Sequence, residues 1–416
     1  NSFTIESNFD SSSTGTIKTE NSNCAITINT NFDGPINFDC VGNITLELNK
    51  DVKFGTVKAN TFTNKGTATI TDGNELLISK KIDNSNGKIA GSVKLSGNNI
   101  SSDSMHLGND TSEYKNLTID TRNEISFAGN PKINNLIVLN ANGVTFKESV
   151  TINNVNDEGY SKNFNFHGAQ FKKVDENDSS NIEFKTSGTV TFGIDENSTT
   201  TFGKDLTHTE GTTVINGTFS ADVNNIRLGE TKINGSVIAE NAEFGDTTIN
   251  GIAKITGNIK SSKVIISNNG TLEISENLEN VNSITVNGTL ISNIGSDFTI
   301  GNKFVSDSKG TIQTINENSK VIVDTDFIGP INFDCKGNLI INEEKTVVSG
   351  TVKAKNVLNN GKLIVNEIIS TELLNNIGLA TVNTKLTTKE INNGENATLN
   401  ITKNAETIDC RNFGSI

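Results

Sequence analysis

Gly34-Pro35-Ile36-Asn37-Phe38-Asp39-Cys40 is repeated letter for letter as Gly329-Pro330-Ile331-Asn332-Phe333-Asp334-Cys335, 295 positions later (329 minus 34). The same register carries Phe3-Thr4-Ile5 onto Phe298-Thr299-Ile300, Gly15-Thr16-Ile17 onto Gly310-Thr311-Ile312, and Gly55-Thr56-Val57-Lys58-Ala59 onto Gly350-Thr351-Val352-Lys353-Ala354. Farther along the offset falls to 289 (407 minus 118), where Thr118-Ile119-Asp120-Thr121-Arg122-Asn123 returns as Thr407-Ile408-Asp409-Cys410-Arg411-Asn412. Residues 1–296 therefore read as one long unit and 297–416 as a partial second copy. Repetition on this scale constrains the fold class before any local reading.

A shorter period lies inside the long one. An apolar residue followed by Asn-Gly recurs at Gly217, Gly235, Gly251 and Gly288, with Asn269-Gly270 between the last two, so the successive gaps are 18, 16, 19 and 18. Two places after each Gly stands an apolar residue: Phe219, Val237, Ala253, Leu272 and Leu290. Ile17, Val57, Ile312, Val352 and Leu363 obey the same rule after Gly15, Gly55, Gly310, Gly350 and Gly361. The pattern predicts a turn with positive φ at each Gly, followed by a short strand whose alternate side chains point inward. One such unit cannot bury its apolar face alone and must stack on its neighbours. The fold class expected is all-β, a parallel β-helix (β-solenoid) of about 18–19 residues per coil. At the strand spacing of about 4.8 Å this makes about 22 coils and a rod on the order of 100 Å.

Composition supports strands over helix or disorder. The 416 residues hold 21 Phe, two Tyr and no Trp, and only three Pro, of which Pro35 and Pro330 occupy the same place in the repeat. Leucines do not recur at three-and-four spacing, and the one short helical candidate is Glu372 to Asn376. Short strands are expected around Phe3–Ile5, Thr16–Thr19, Ala25–Asn29, Ile44–Leu48, Thr56–Ala59 and Thr67–Thr71. Between Asp72 and Arg122 the two copies differ in length, which predicts a loop projecting from the solenoid near Asn98 to Tyr114, the stretch singled out as a contact surface. Phe127, Phe146, Phe164, Phe166, Phe171, Phe184, Phe192 and Phe202 crowd the next region and predict an interior aromatic stack. The acidic run Val174 to Ser180 reads as a solvated turn. Asn216, Asn234, Asn250, Asn269 and Asn287 predict an amide ladder at one corner.

The chemistry is as informative for what is missing. A net charge of −13 with no Lys/Arg cluster excludes the cationic face that a nucleic-acid partner requires. It also disfavours charge-driven attachment to anionic lipid, and no apolar stretch is long enough to insert in a membrane. Cys24, Cys40, Cys335 and Cys410 have neither zinc nor redox spacing. Cys24 and Cys40 could bridge if they lie on adjacent coils, but the repeat places Ser319 opposite Cys24, so buried free thiols are the simpler expectation. His106, His167 and His208 sit in unlike contexts, and Gly-x-Ser-x-Gly and phosphate-loop motifs are absent. Asp39 and Asp334 recur, and turn capping beside a Gly-Pro turn accounts for them. No catalytic residue, cofactor or metal ligand is assigned. The pattern starts and stops in mid-repeat, which reads as a fragment of something longer.

The short Gly-Thr-Val/Ile and Ile-Asn-Gly strands in an Asn-, Thr-, Ile- and Lys-rich chain resemble the passenger regions of bacterial autotransporters, closest in texture to rickettsial-type surface cell antigens. The resemblance implies a right-handed parallel β-helix exported across the outer membrane, displayed on the bacterial cell surface or secreted, and serving adhesion, virulence or surface coating. The expected function is non-enzymatic. Expected partners are a host-cell or neighbouring-cell surface molecule, or copies of the chain itself. Two alternatives stand beside it: a polysaccharide-degrading β-helix enzyme of the tail-spike or lyase type, and a self-assembling surface-layer or filament subunit.

Overall fold

The computed structural model describes residues 2–158, 161–276 and 278–416. Every regular element among them is a β-strand, and every strand pair is parallel to the strand one coil away. No element is a helix long and apolar enough to cross a membrane. The chain is a parallel β-solenoid. Contacts divide it into two units, residues 1–224 and 225–416, each described by itself. That division records packing, whereas the boundary at 296/297 records duplication of sequence.

In the second unit one inward column can be followed coil by coil. Val237 pairs with Ala253, Ala253 with Leu272, Leu272 with Leu290, Leu290 with Ile312 and Ile312 with Phe333. The spacing of these partners along the chain matches the short sequence period at first and lengthens slightly towards Phe333. All six side chains are buried, as are Phe219, Val57, Val352 and Leu363. Ile17 is half-buried, in a strand that shows no fully buried residue. Fully burying such a side chain contributes about 1.5 to 3 kcal/mol, and stacking lets each coil cap the next.

The glycines at the corners act differently from expectation. Gly217, Gly251, Gly270 and Gly288 do not have positive φ; among the described glycines that conformation belongs to Gly73, Gly91, Gly97, Gly108, Gly129 and Gly193. What the corners require is the absence of Cβ. A Cβ on Gly251 would lie 2.0 Å from the Gly235 carbonyl oxygen, and one on Gly288 would lie 2.2 Å from that of Gly270. Successive coils pass so closely at this corner that only hydrogen fits.

The duplicated heptapeptide is one continuous nine-residue strand in each copy, Phe32–Cys40 and Phe327–Cys335, rather than a turn. Each slips register against the following coil on both sides of its central Ile. The Asn37 amide fills the gap: its Nδ2 donates to the Thr14 carbonyl at 3.1 Å and its Oδ1 accepts from the Thr56 backbone N–H at 2.8 Å. Asn332 does the same from the Gly310 carbonyl at 3.3 Å to the Thr351 N–H at 2.8 Å. A Cβ on Gly55 or Gly350 would collide with these amide oxygens, at 2.2 and 2.5 Å. Asp39 and Asp334 are not turn caps. They face outward and stand in register with Lys58 and Lys353 on the next coil.

Two further expectations are corrected. Glu372 to Asn376 belongs to the strand Ile368–Asn376, because Leu374 and Asn376 both point inward with period two. The stretch from Asn98 to Tyr114 does not project: Ile100, Met105, Leu107 and Tyr114 are all buried, and Met105–His106 pairs with strands on both adjacent coils. Four large inward side chains at irregular spacing anchor this segment to the wall.

The aromatic interior is as expected. All eight named Phe are buried. Phe127, Phe146, Phe166 and Phe192 form one column in strand register, with ring centroids 5.4, 5.5 and 5.7 Å apart. Phe171, Phe202 and Phe219 stack beside it at 4.6 and 4.7 Å. Coils are wide here: Phe164 does not meet its partner on the next coil until Val190, nor Thr189 until Thr212.

Candidate functional site

Buried ionisable groups concentrate in the wide coils of the first unit. Lys162 and Asp157 form an ion pair at 2.7 Å with side chains 2% and 0% exposed. His208, fully buried, places Nδ1 2.9 Å from the Thr213 hydroxyl and Nε2 3.1 Å from the Thr186 carbonyl. A carbonyl only accepts, so Nε2 carries the proton and Nδ1 accepts from Thr213. Burial pushes the His208 pKa down, opposed by the Thr186 bond, so the ring is neutral.

Lys204 is the second buried cation, with its ammonium 2.6 Å from the Asp178 carboxylate. It also donates to the Asn153 carbonyl at 2.7 Å, to the Ser180 hydroxyl at 2.9 Å and to Asn154 Oδ1 at 3.0 Å. The Lys204 ammonium and the Ser180 hydroxyl hold the Asp178 carboxyl far below the usual carboxylate range. Apart from Asp178, which tucks in to meet Lys204, the acidic run is solvated as expected. Lys204 closes a ladder in which Asn135 donates to Asn116 at 2.9 Å and Asn154 to Asn135 at 3.0 Å, capping the last free amide oxygen with a charge. These side chains are held by one another and by the Val138, Asn153 and Thr186 carbonyls.

In the corner row of five asparagines, Asn250 donates to Asn234 at 2.8 Å, a rung of the expected kind. A continuous ladder lies elsewhere, through the buried Asn359, Asn376 and Asn393 to the exposed Asn412, each step 2.8 Å. Asn359 and Asn376 stand two residues before Gly, in Asn359-Asn360-Gly361 and Asn376-Ile377-Gly378, and Asn393 directly before Gly394; all three amides lie on the inward side.

The four thiols are free, with Cys410 exposed and the others buried. Gly42, not Cys40, lies over Cys24, since a Cβ there would meet the Cys24 carbonyl at 2.0 Å. Burial pushes the Cys335 pKa up to about 12 and raises that of Cys40, so neither is a poised nucleophile. Among the described residues, no three His, Cys, Asp or Glu side chains gather where they could hold a metal ion.

Among the open features of the surface is a lateral groove of about 460 Å³ in the first unit, lined by Thr69, Asp72, Gly91, Lys115, Asn134 and Asn153 among others. It crosses five coils that follow in register from Thr69 through Ala90, Glu113 and Lys132 to Thr151. Gly91 opens its floor, with φ +125° and the Ile70 carbonyl oxygen 2.6 Å from where a Cβ would stand. On one side the turn after Thr71 rises, and Lys115 spans to its Asp72 at 2.8 Å. The Lys115 ammonium lowers the Asp72 carboxyl pKa through that bond. Lys132 and Glu113 face each other at 3.6 Å. Sequence reasoning stopped its contact segment at Tyr114, one residue short of Lys115, because it read the segment as a loop instead of the wall of a groove.

Fold and surface together define the class, a parallel β-solenoid with a lateral groove on its first unit. Comparison with family models, with curated proteins and with solved structures gives no match for this chain.

Proposed function

We propose that the protein is a non-enzymatic bacterial surface or secreted β-solenoid that acts by contact, as an adhesin or coat component. The reading is carried by the lateral groove: its polar side chains engage one another pairwise along five coils instead of converging on one point, as general acid and base must. Such a surface suits recognition of something extended. The texture resemblance to autotransporter passengers supports display outside the cell, and the acidic balance suits solubility with many exposed strands. Labelled chain added to intact host or neighbouring cells is expected to bind saturably and to be displaced by unlabelled chain. Release of reducing sugar from a polysaccharide panel, or failure to bind any cell saturably, would overturn the reading.

A further inference from the structure

We propose that the groove between the Thr71–Glu75 turn and Asn153 binds a neutral glycan chain lying along the solenoid axis, which deepens the contact role above and rests on it. Charge comes first. The two acids of the groove, Asp72 and Glu113, are each matched by a lysine, Lys115 at 2.8 Å and Lys132 at 3.6 Å, so the lining carries no net charge to attract an anionic or cationic polymer. Nucleic acid and sulfated or sialylated chains would meet both carboxylates without a surplus cation to release counterions.

A peptide strand is excluded by hydrogen bonding. Recognition by strand addition needs a free backbone edge, and Glu113–Asp120 is already paired on both sides, with Lys88–Ser96 and with Lys132–Asn140, which in turn pairs with Gly143–Asp157. What the groove offers instead is side-chain chemistry. Asn153 Nδ2 donates to Asn134 Oδ1 at 3.1 Å, which leaves the Asn134 Nδ2 as a donor and the Asn153 Oδ1 as an acceptor at the two ends of the rung. A donor and an acceptor spaced along the groove suit hydroxyls of an extended sugar chain, since each hydroxyl both donates and accepts. Beneath them the half-buried Ala90 and the Gly91 backbone form an apolar floor for the ring's C–H face. The run of five coils, about 20 Å at the strand spacing, gives the site the length of an oligomer rather than of one sugar. Lys115 crosses this path with a side chain 57% exposed, and a surface ion pair of that kind gives way easily to a ligand.

The test is retention of the full chain on an array of neutral, sialylated and sulfated oligosaccharides, with cell binding measured in parallel. Two variants are compared: Thr69→Trp, which fills the groove from an outward-facing strand position, and the double variant Asn134→Ala/Asn153→Ala, which removes the amides. Retention on neutral chains that falls about tenfold or more in both variants supports the proposal. If Thr69→Trp alters the far-ultraviolet circular dichroism, the double variant decides. Retention unchanged by the variants, or confined to sialylated or sulfated chains, overturns it. Cell binding without any glycan retention overturns the glycan and leaves the contact role standing; loss of both overturns both.

Discussion

Wide and tight coils solve the same packing problem with different side chains. From Phe164 to Phe219 the coils are long, with Phe164 paired to Val190, and the interior is filled by stacked Phe with Lys162, Asp157, Lys204 and His208 buried nearby. From Val237 to Leu290 they are short, with Val237 paired to Ala253, and the equivalent column holds Val, Ala and Leu with no buried charge beside it. Perimeter sets the volume to be filled, so a longer coil must be given larger side chains, and beyond the reach of Phe it must be given polar groups that saturate each other. Among the described residues, buried charge accompanies the wide coils.

Four measurements would break or sharpen this contrast. Phe166 touches Phe146, Phe171, Phe184 and Phe192, so Phe166→Ala should cost about 3 to 5 kcal/mol in urea unfolding followed by circular dichroism. In the tight coils the sensitive direction is reversed: Ala253→Leu should cost about 1 to 3 kcal/mol through overpacking, and a neutral result would mean that coil width does not limit volume there. Lys204→Met should lose about 3 kcal/mol, because Asp178 and Asn154 keep their half of a buried contact, and an unchanged midpoint would show that water already serves them. The repeat supplies an internal control at equivalent positions. Gly310→Ala places a Cβ 2.1 Å from the Gly288 carbonyl and should cost about 1 to 3 kcal/mol, whereas Gly15→Ala meets nothing within 4 Å and should stay within about 0.5 kcal/mol.

Acid should distinguish the wide region last and most gently. Burial holds the folded pKa of His208 below the free value of about 6.5, so the unfolded chain takes up the proton first. Stability present above about pH 6.5 is therefore lost as pH falls from there through the folded value, ahead of the carboxylate loss that follows when Asp178, whose folded pKa is depressed, begins to protonate in the unfolded chain near pH 4. A His208→Gln variant should flatten the first step and keep the second; identical acid profiles for both proteins would remove His208 from the account.

Much of the fold was legible because solenoid physics is periodic. Gly spacing and the apolar residue two places on located the inward column, and the clustered Phe located the stack. The failures have a common cause, which is that identity of residue does not report direction. Asn next to Gly announced a ladder, and Asn250 and Asn234 make such a rung, but the inward series through Asn359, Asn376 and Asn393 went unread, because Asn359 and Asn376 stand one position farther from their Gly. Gly at a corner announced left-handed backbone, yet the requirement was clearance from the neighbouring coil. The buried ion pairs could not be read at all, since Lys204 meets Asn154 from far along the chain and nothing in the sequence around Lys162 sets it apart from an exposed lysine. The groove was scarcely legible: of its lining only Glu113 and Tyr114 fall in the stretch singled out for contact, and its shape comes from Gly91 and from a register slip between Tyr114 and Leu117.

The amide clip at Asn37 and Asn332 bears on how such a chain lengthens. Each clip takes its bonding partners from the coil before and the coil after, and each needs a bare glycine on the following coil, Gly55 or Gly350. Asparagine and glycine are thus a lock and its keyhole, useless apart, and a stretch carrying both can be pasted in elsewhere without refitting its neighbours. Exchange of either member alone should be tolerated less well than exchange of the pair, and in any lineage of this chain the two positions should change in step.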